Sequence, residues 1–208
     1  MLGGMDDADP QLLETVALFA GTDAAVRAEA IAAGRLHDVA PGEVLFHQGA
    51  EAHGFHVLLD GRVKVTQLTA EGEQVLARYV GPGEMFGCIA LSGETHYPGS
   101  AEAVLASRSL SWDGPITTTL MERHPRIALN ALHTLATRVH ELQSRFQELA
   151  TERVERRIAH AVLRLAHDAG VKVAEGVRVD FPLSRQDLAE MTGTTLFTVS
   201  RVLRAWEK

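Results

Sequence analysis

The sequence predicts an α+β protein in which a closed β-roll is followed by a long helix and then by a helix-turn-helix. Three observations carry this. From about residue 35 to 113 short apolar runs alternate with glycine-bearing turns; from about 116 to 168 the apolar period is helical; and the last 25 residues have the spacing of two short helices crossing at a tight turn.

With 208 residues, 46% hydrophobic and 23% charged, the chain has material for one large or two small cores. It contains no apolar run of about 18 residues, the length needed to cross a bilayer. Its start, MLGGMDDADPQLLE, is acidic where an export signal is basic and then apolar, so a cytoplasmic protein without membrane contact is expected. The single cysteine, Cys88, excludes an internal disulfide framework, an iron-sulfur cluster and any zinc site built from several thiolates. The net charge of −7 is unevenly spread. Residues 1–150 carry 10 basic against 19 acidic side chains, and 151–208 carry 10 against 8. The positive end is therefore the C-terminal quarter, with Arg153, Arg156 and Arg157 in one group and Arg201 and Arg204 in another.

In chain order, residues 11–34 show helical spacing broken at Gly21-Thr22-Asp23, which predicts two short helices. The runs EVLF, FHVLLD, RVKVTQLT, QVLARYV, AEAVL and SLSW then predict strands whose even spacing suits a jelly roll or sandwich. In the helical stretch, Leu132, Leu135, Val139, Leu142, Phe146 and Leu149 follow one another at intervals of 3, 4, 3, 4 and 3. This narrow seam suits a second helix of the same kind. With no other heptad segment in the chain, the same helix of a second copy is the simplest partner; packing on the roll is the alternative. Residues 1–115 thus form one expected domain, 116–152 a dimerisation helix and 153–208 a DNA-binding domain, in which a loop with Gly170 and Gly176 precedes a strand over Val177–Phe181.

The most specific signal is SRQDLAEMTGTTLFTVSRVLRAWEK. Ser184 and Asp187 have capping-box spacing. Counting from Arg185, Ala189 stands at position 5, Gly193 at 9 and Val199 at 15. A small residue lets the second helix cross, glycine supplies a left-handed turn, and valine packs one helix on the other. Thr194 or Thr195 can cap the second helix, which from Leu196 would present Phe197, Thr198, Ser200, Arg201 and Arg204 to a major groove. Arg185, Thr192, Thr194 and Thr195 fall where side chains and helix N-termini meet phosphate.

With these residues in place, almost the whole chain resembles the CRP/FNR family of dimeric transcription regulators. Gly83-Glu84-Met85-Phe86-Gly87 followed by Ile89-Ala90-Leu91 is similar to the family's roll motif, and TVSRVLRAW to its recognition helix. The wording RQDLAEMTGTTLFTVSR, with Tyr97-Pro98, resembles the nitrogen-oxide-responsive branch that controls denitrification genes. The resemblance implies a cyclic-nucleotide-binding-like roll, a winged helix-turn-helix, binding of a homodimer to a palindromic double-stranded DNA site, and RNA polymerase as a partner. The family's wing should follow the recognition helix, so the chain ending at Lys208 is expected to lack it.

The departures narrow the effector. Members that bind cyclic AMP hold its ribose with a Glu and its phosphate with an Arg; here those places are Cys88 and Gly99. A pocket formed by Phe86, Gly87, Cys88, Ile89, Gly99 and Ser100, with Leu142 and Gln143 from the long helix, is therefore expected to take a small molecule other than cyclic AMP. The nitrogen-oxide likeness implies nitric oxide sensed through haem, with His133, His140 or Cys88 as candidate ligands. Taken singly, each histidine reads as solvent-facing and Cys88 as a small core residue. Two other classes compete: a roll acting on a protein partner without DNA, for which the last 25 residues would be superfluous, and a jelly-roll metal enzyme, for which His53 and His56 lack a completing set.

Overall fold

A computed structural model of the chain describes residues 9–91 and 95–207. The acidic start before Asp9, the turn glycine Gly93 and the terminal Lys208 lie outside the described residues.

The roll consists of β1 (Arg35–Val39), β2 (Val44–Phe46), β3 (Gly54–Asp60), β4 (Val63–Leu68), β5 (Gln74–Val80), β6 (Met85–Phe86), β7 (Ser100–Ala103) and β8 (Ser107–Asp113). They form two four-stranded antiparallel sheets of order β1-β8-β3-β6 and β2-β7-β4-β5. Between the sheets Leu58, Val63, Val80, Phe86 and Ala101 make one buried cluster. A second cluster, around Trp112, Phe55 and Phe19, seals the roll against the helices that flank it, and the Trp112 indole N–H donates to Ala30 O at 2.7 Å. The β3–β4 turn needs glycine: Gly61 has φ 88°, and a Cβ there would lie 2.4 Å from Ala106 O.

All six predicted strands are present; β1 and the two-residue β6 were not predicted. The two N-terminal helices are corrected to one, α1 (Ala24–Ala33), preceded by 3-10 turns at Pro10–Leu13 and Ala17–Phe19. Val16 is extended between those turns, which lets Leu13, Val16, Leu18 and Phe19 all reach the core. The helical stretch after the roll is three helices: α2 (Gly114–Arg123), α3 (Pro125–Thr151) and α4 (Val154–Ala169). The first break is His124, held at φ −129°, ψ 76° by the steric demand of Pro125.

The loop predicted after α4 is instead the first half of a hairpin, β9 (Gly170–Val173) with β10 (Gly176–Val179), paired Gly176 to Val173 and Val177 to Lys172. β10 ends two residues before the predicted end of its strand. Then come α5 (Arg185–Thr192) and α6 (Leu196–Trp206), whose Leu188, Ala189, Val199 and Val202 join Ile158, Ala161 and Leu165 of α4 in a separate core. No helix among the described residues is long and apolar enough to cross a membrane.

Candidate nucleic-acid interface and effector pocket

The helix-turn-helix is built as its spacing requires. The Ser184 hydroxyl accepts from the Asp187 backbone N–H while the Asp187 carboxylate accepts from the Ser184 N–H, closing a capping box on α5. Gly193 is left-handed at φ 59°, ψ 46° and turns the chain into α6, which Thr195 caps by accepting from Thr198 N–H at 3.2 Å. Ala189 and Val199 are buried where the helices cross. The opposite side of α6 is exposed: Leu196, Phe197, Arg201 and Arg204, with Ser200 and Thr198 half-buried beside them. Phe197 is 77% exposed, far too open for a core phenylalanine.

One predicted phosphate contact is corrected. Thr192 is only 2% exposed and its hydroxyl donates to Leu188 O at 2.6 Å, so it can bind no phosphate. Arg185 is half-buried and its guanidinium lies 3.8 Å from Glu207. The boundary arginines diverge: Arg156 pairs with Glu152 at 3.1 Å, and Arg153 is exposed.

On α3 the seam residues Leu132, Leu135, Val139, Leu142, Phe146 and Leu149 stand open to solvent in the single chain, Phe146 by 74%. Leu129, outside the strict heptad, extends the stripe. The other side of α3 is tied to the roll. Glu84 accepts from Arg78 of β5 at 2.8 Å and from Arg138 of α3 at 2.9 Å, and Arg145 donates to Ala77 O.

Arg78 and Arg138 are functional candidates that the sequence reading missed. Burial pushes the Cys88 thiol up, against a downward pull from Arg78 first and then Arg138. The only sequence cue was a basic residue at a half-buried place in β5.

The predicted pocket residues Phe86, Gly87, Cys88 and Ile89 follow one another from β6 into a 3-10 turn. Gly99 is closed to any longer side chain, since a Cβ there would sit 2.6 Å from Thr66 O. Ser100 is engaged, its hydroxyl accepting from Gln48 N–H at 2.9 Å. Gln143 and Leu142 face solvent on α3.

His133 and His140 are exposed, the Cys88 thiol is held protonated by burial, and none of the three lines either cavity described here. Among the described residues no group of three or more His, Cys, Asp or Glu is placed to hold a metal ion, and His53 and His56 do not begin one.

Two cavities among the described residues lie elsewhere. One, of about 480 Å³, separates Lys64, Tyr79 and Glu102 of the roll from Leu183 and Asp187 of the helix-turn-helix. The other, of about 950 Å³, opens among β1, β3 and β8.

Comparison with known proteins fits both halves. Residues 36–124 match the cyclic nucleotide-binding domain family and residues 156–208 the Crp-like helix-turn-helix domain family. The chain is 30% identical over 164 residues to the cyclic AMP receptor protein of Thermus thermophilus, covering 79% of this chain and 73% of that protein. It is 25% identical over 166 residues to the CRP-like cAMP-activated global transcriptional regulator of Mycobacterium tuberculosis, covering 80% and 74%. The fold superposes at a TM-score of 0.75 on the c-di-GMP-responsive global regulator CLP of Xanthomonas campestris, at 19% identity over 89% of this chain and 92% of that one. The chain belongs to the CRP/FNR family of DNA-binding transcription regulators.

Proposed function

We propose that this protein is a homodimeric one-component regulator that reads a palindromic double-stranded DNA site with two α6 helices and is switched by a small molecule bound in the roll. It is not an enzyme in this reading, and on a promoter its partner is RNA polymerase. The observation that carries the proposal is the division of α6. Val199 and Val202 pack inward while Phe197, Arg201 and Arg204 face out, which suits insertion into a major groove. Arg201 can bind a guanine edge bidentately, and Phe197 can contact a thymine methyl. The exposed α3 seam supports the dimer, because a row of six large apolar side chains in water favours a covering partner.

The effector in this reading is not cyclic AMP. Cys88 offers no carboxylate to a ribose, Gly99 has no room for a guanidinium, and Arg78 and Arg138 are already paired with Glu84. The link to the nitrogen-oxide branch rests on the wording of residues 185–201 and on Tyr97-Pro98. In this reading a directly bound small molecule is favoured over a gas on haem, because His133, His140 and Cys88 line neither of the two cavities.

Selection of bound duplexes from a randomised DNA library tests the proposal. The expected outcome is a two-fold symmetric consensus with half-sites about 10 base pairs apart. Recovery of unselected sequence with only salt-dependent affinity opposes it.

A further inference from the structure

The 950 Å³ cleft lies between β1, β3 and β8 on one side and the β2–β3 connection on the other, with the start of α2 at one end. Its wall is aromatic. Phe46 and Tyr97 are stacked, 3.9 Å between ring centroids and 15° between planes, and His56 stacks at 5.0 Å on Phe86. Trp112 and Ile116 also line it. Cys88, Ile89, Gly99, Ser100, Leu142 and Gln143 take no part in it. The Phe46–Tyr97 pair abuts Gly87, where a Cβ would lie 3.3 Å from both rings, so the stack has the Gly87–Cys88 segment against it as well as the cleft.

Most polar groups around the cleft are engaged. His37 Nε2 is 2.8 Å from Ser111 Oγ, the Tyr97 hydroxyl donates to Gly54 O at 2.7 Å, and the Asp113 carboxylate accepts from Ile116 N–H at 2.9 Å. His56 differs. It is 9% exposed, its Nδ1 has a long contact of 3.4 Å to Ser109 Oγ, and its other ring nitrogen has no hydrogen bond among the described residues. That nitrogen is not among the fully buried unpaired atoms, so it is accessible from the cleft and free to bond a water or a ligand. Burial first, and then His37, push the His56 pKa down to about 4, so the imidazole is neutral near pH 7. At the rim, one cation, Arg35, stands with two carboxylates, Glu51 and Asp113, a balance that disfavours an anionic ligand.

We infer that this cleft is a second ligand site, for a flat, uncharged heteroaromatic molecule that stacks on the Phe46–Tyr97 wall and makes one hydrogen bond to the open nitrogen of His56. The occupant would also touch Pro115 and Ile116, in the first turn of the helix that leads to α3, so binding would bear on the seam-carrying helix. The site stands apart from the DNA-binding proposal, because its occupancy is read without DNA.

The chain has two tryptophans, so in a Trp206→Phe background Trp112 alone reports. Titration with benzimidazole, uncharged at pH 7.5, should quench Trp112 saturably, and benzoate, similar in size but anionic, should bind at least tenfold more weakly. His56→Leu should weaken benzimidazole about tenfold, the value of one net hydrogen bond. Ala50→Phe, at the exposed rim, should abolish binding without touching His56. A response that never saturates, or affinity unchanged in Ala50→Phe, overturns the site. Full affinity in His56→Leu overturns the hydrogen bond, and equal binding of benzoate overturns the ligand class.

Discussion

The ring of Tyr79, on an edge strand of the roll, rests 4.6 Å from the ring of Phe181, which leads from β10 towards α5 in the DNA-binding domain. The Arg62 guanidinium sits 5.0 Å over the same phenylalanine. Asp187, the carboxylate that caps α5, lies close to the Tyr79 ring. Burial first, then Asp187, raise the Tyr79 pKa. Gln74 of β5 adds a hydrogen bond to Glu190 of α5 at 2.9 Å. The roll thus holds the first helix of the DNA-binding unit through the strand that also carries Arg78, so a change at the effector side has a short physical route to the reading helix.

Removing this contact should uncouple the domains. Tyr79→Ala loses the aromatic pair with Phe181, about 1 kcal/mol beyond the area it buries, whereas Tyr79→Phe keeps the ring pair. Calorimetry should show a single unfolding transition separating into two in Tyr79→Ala and not in Tyr79→Phe. A single transition in both variants would contradict the coupling.

Acid should destabilise the protein through His56. Its folded pKa of about 4 lies below the ordinary 6.5, so the unfolded chain takes up the proton first. The contribution is complete above pH 6.5, falls as pH drops from 6.5 to 4, and levels off below that. Between pH 7 and 5 the loss should be about 2 kcal/mol. Burial lowers His37 as well and adds to the same trend. Urea unfolding at the two pH values measures the loss, which His56→Gln should reduce; an equal loss in the variant would show that other groups carry it.

The seam is tested by charge. Because Leu135 and Leu142 are exposed in the single chain, Leu135→Glu with Leu142→Glu should leave each chain folded and make it monomeric by sedimentation. An intact dimer in the double variant would remove the seam from the account.

At Gly193 the left-handed φ of 59° should make alanine costly. A Cβ there would meet only Leu149 Cδ2 at 3.5 Å, an ordinary contact, so Gly193→Ala should lose about 1 kcal/mol from backbone conformation alone. A neutral result in thermal unfolding would show that the turn tolerates a side chain.

How far the sequence showed all this depended on the range of the interactions. The capping box at Ser184, the turn at Gly193 and the crossing at Ala189 and Val199 are local, and they were legible because each constrains a residue type within a few positions. The strands were legible from alternation and turn glycines. β9 was hidden because Gly170 reads as a loop residue, while its pairing with β10 is only visible once the hairpin forms. The break at His124 had its cue in Pro125, but proline is also compatible with a first helical turn and the apolar period runs on across it. Thr192 looked like a phosphate ligand because it stands beside the turn, where hydroxyls and helix N-termini meet phosphate; its helix face and its bond to Leu188 O take it inward. Tyr79 on Phe181, and Arg138 on Glu84, join residues far apart in the chain, and no local pattern announces such pairs.

The most direct test of the central reading is Arg201→Ala, titrated against a selected site and a scrambled duplex at two salt concentrations. Arg201 is exposed on α6 among the residues that would face a groove, whereas Arg156 is tied to Glu152 at the domain boundary. Arg201→Ala should cost about 1 to 3 kcal/mol on the selected site, relax the choice at one base pair in each half-site and leave the scrambled duplex nearly unaffected. Arg156→Ala should affect both duplexes alike or neither. Equal losses on both duplexes for Arg201→Ala would contradict sequence reading by this helix.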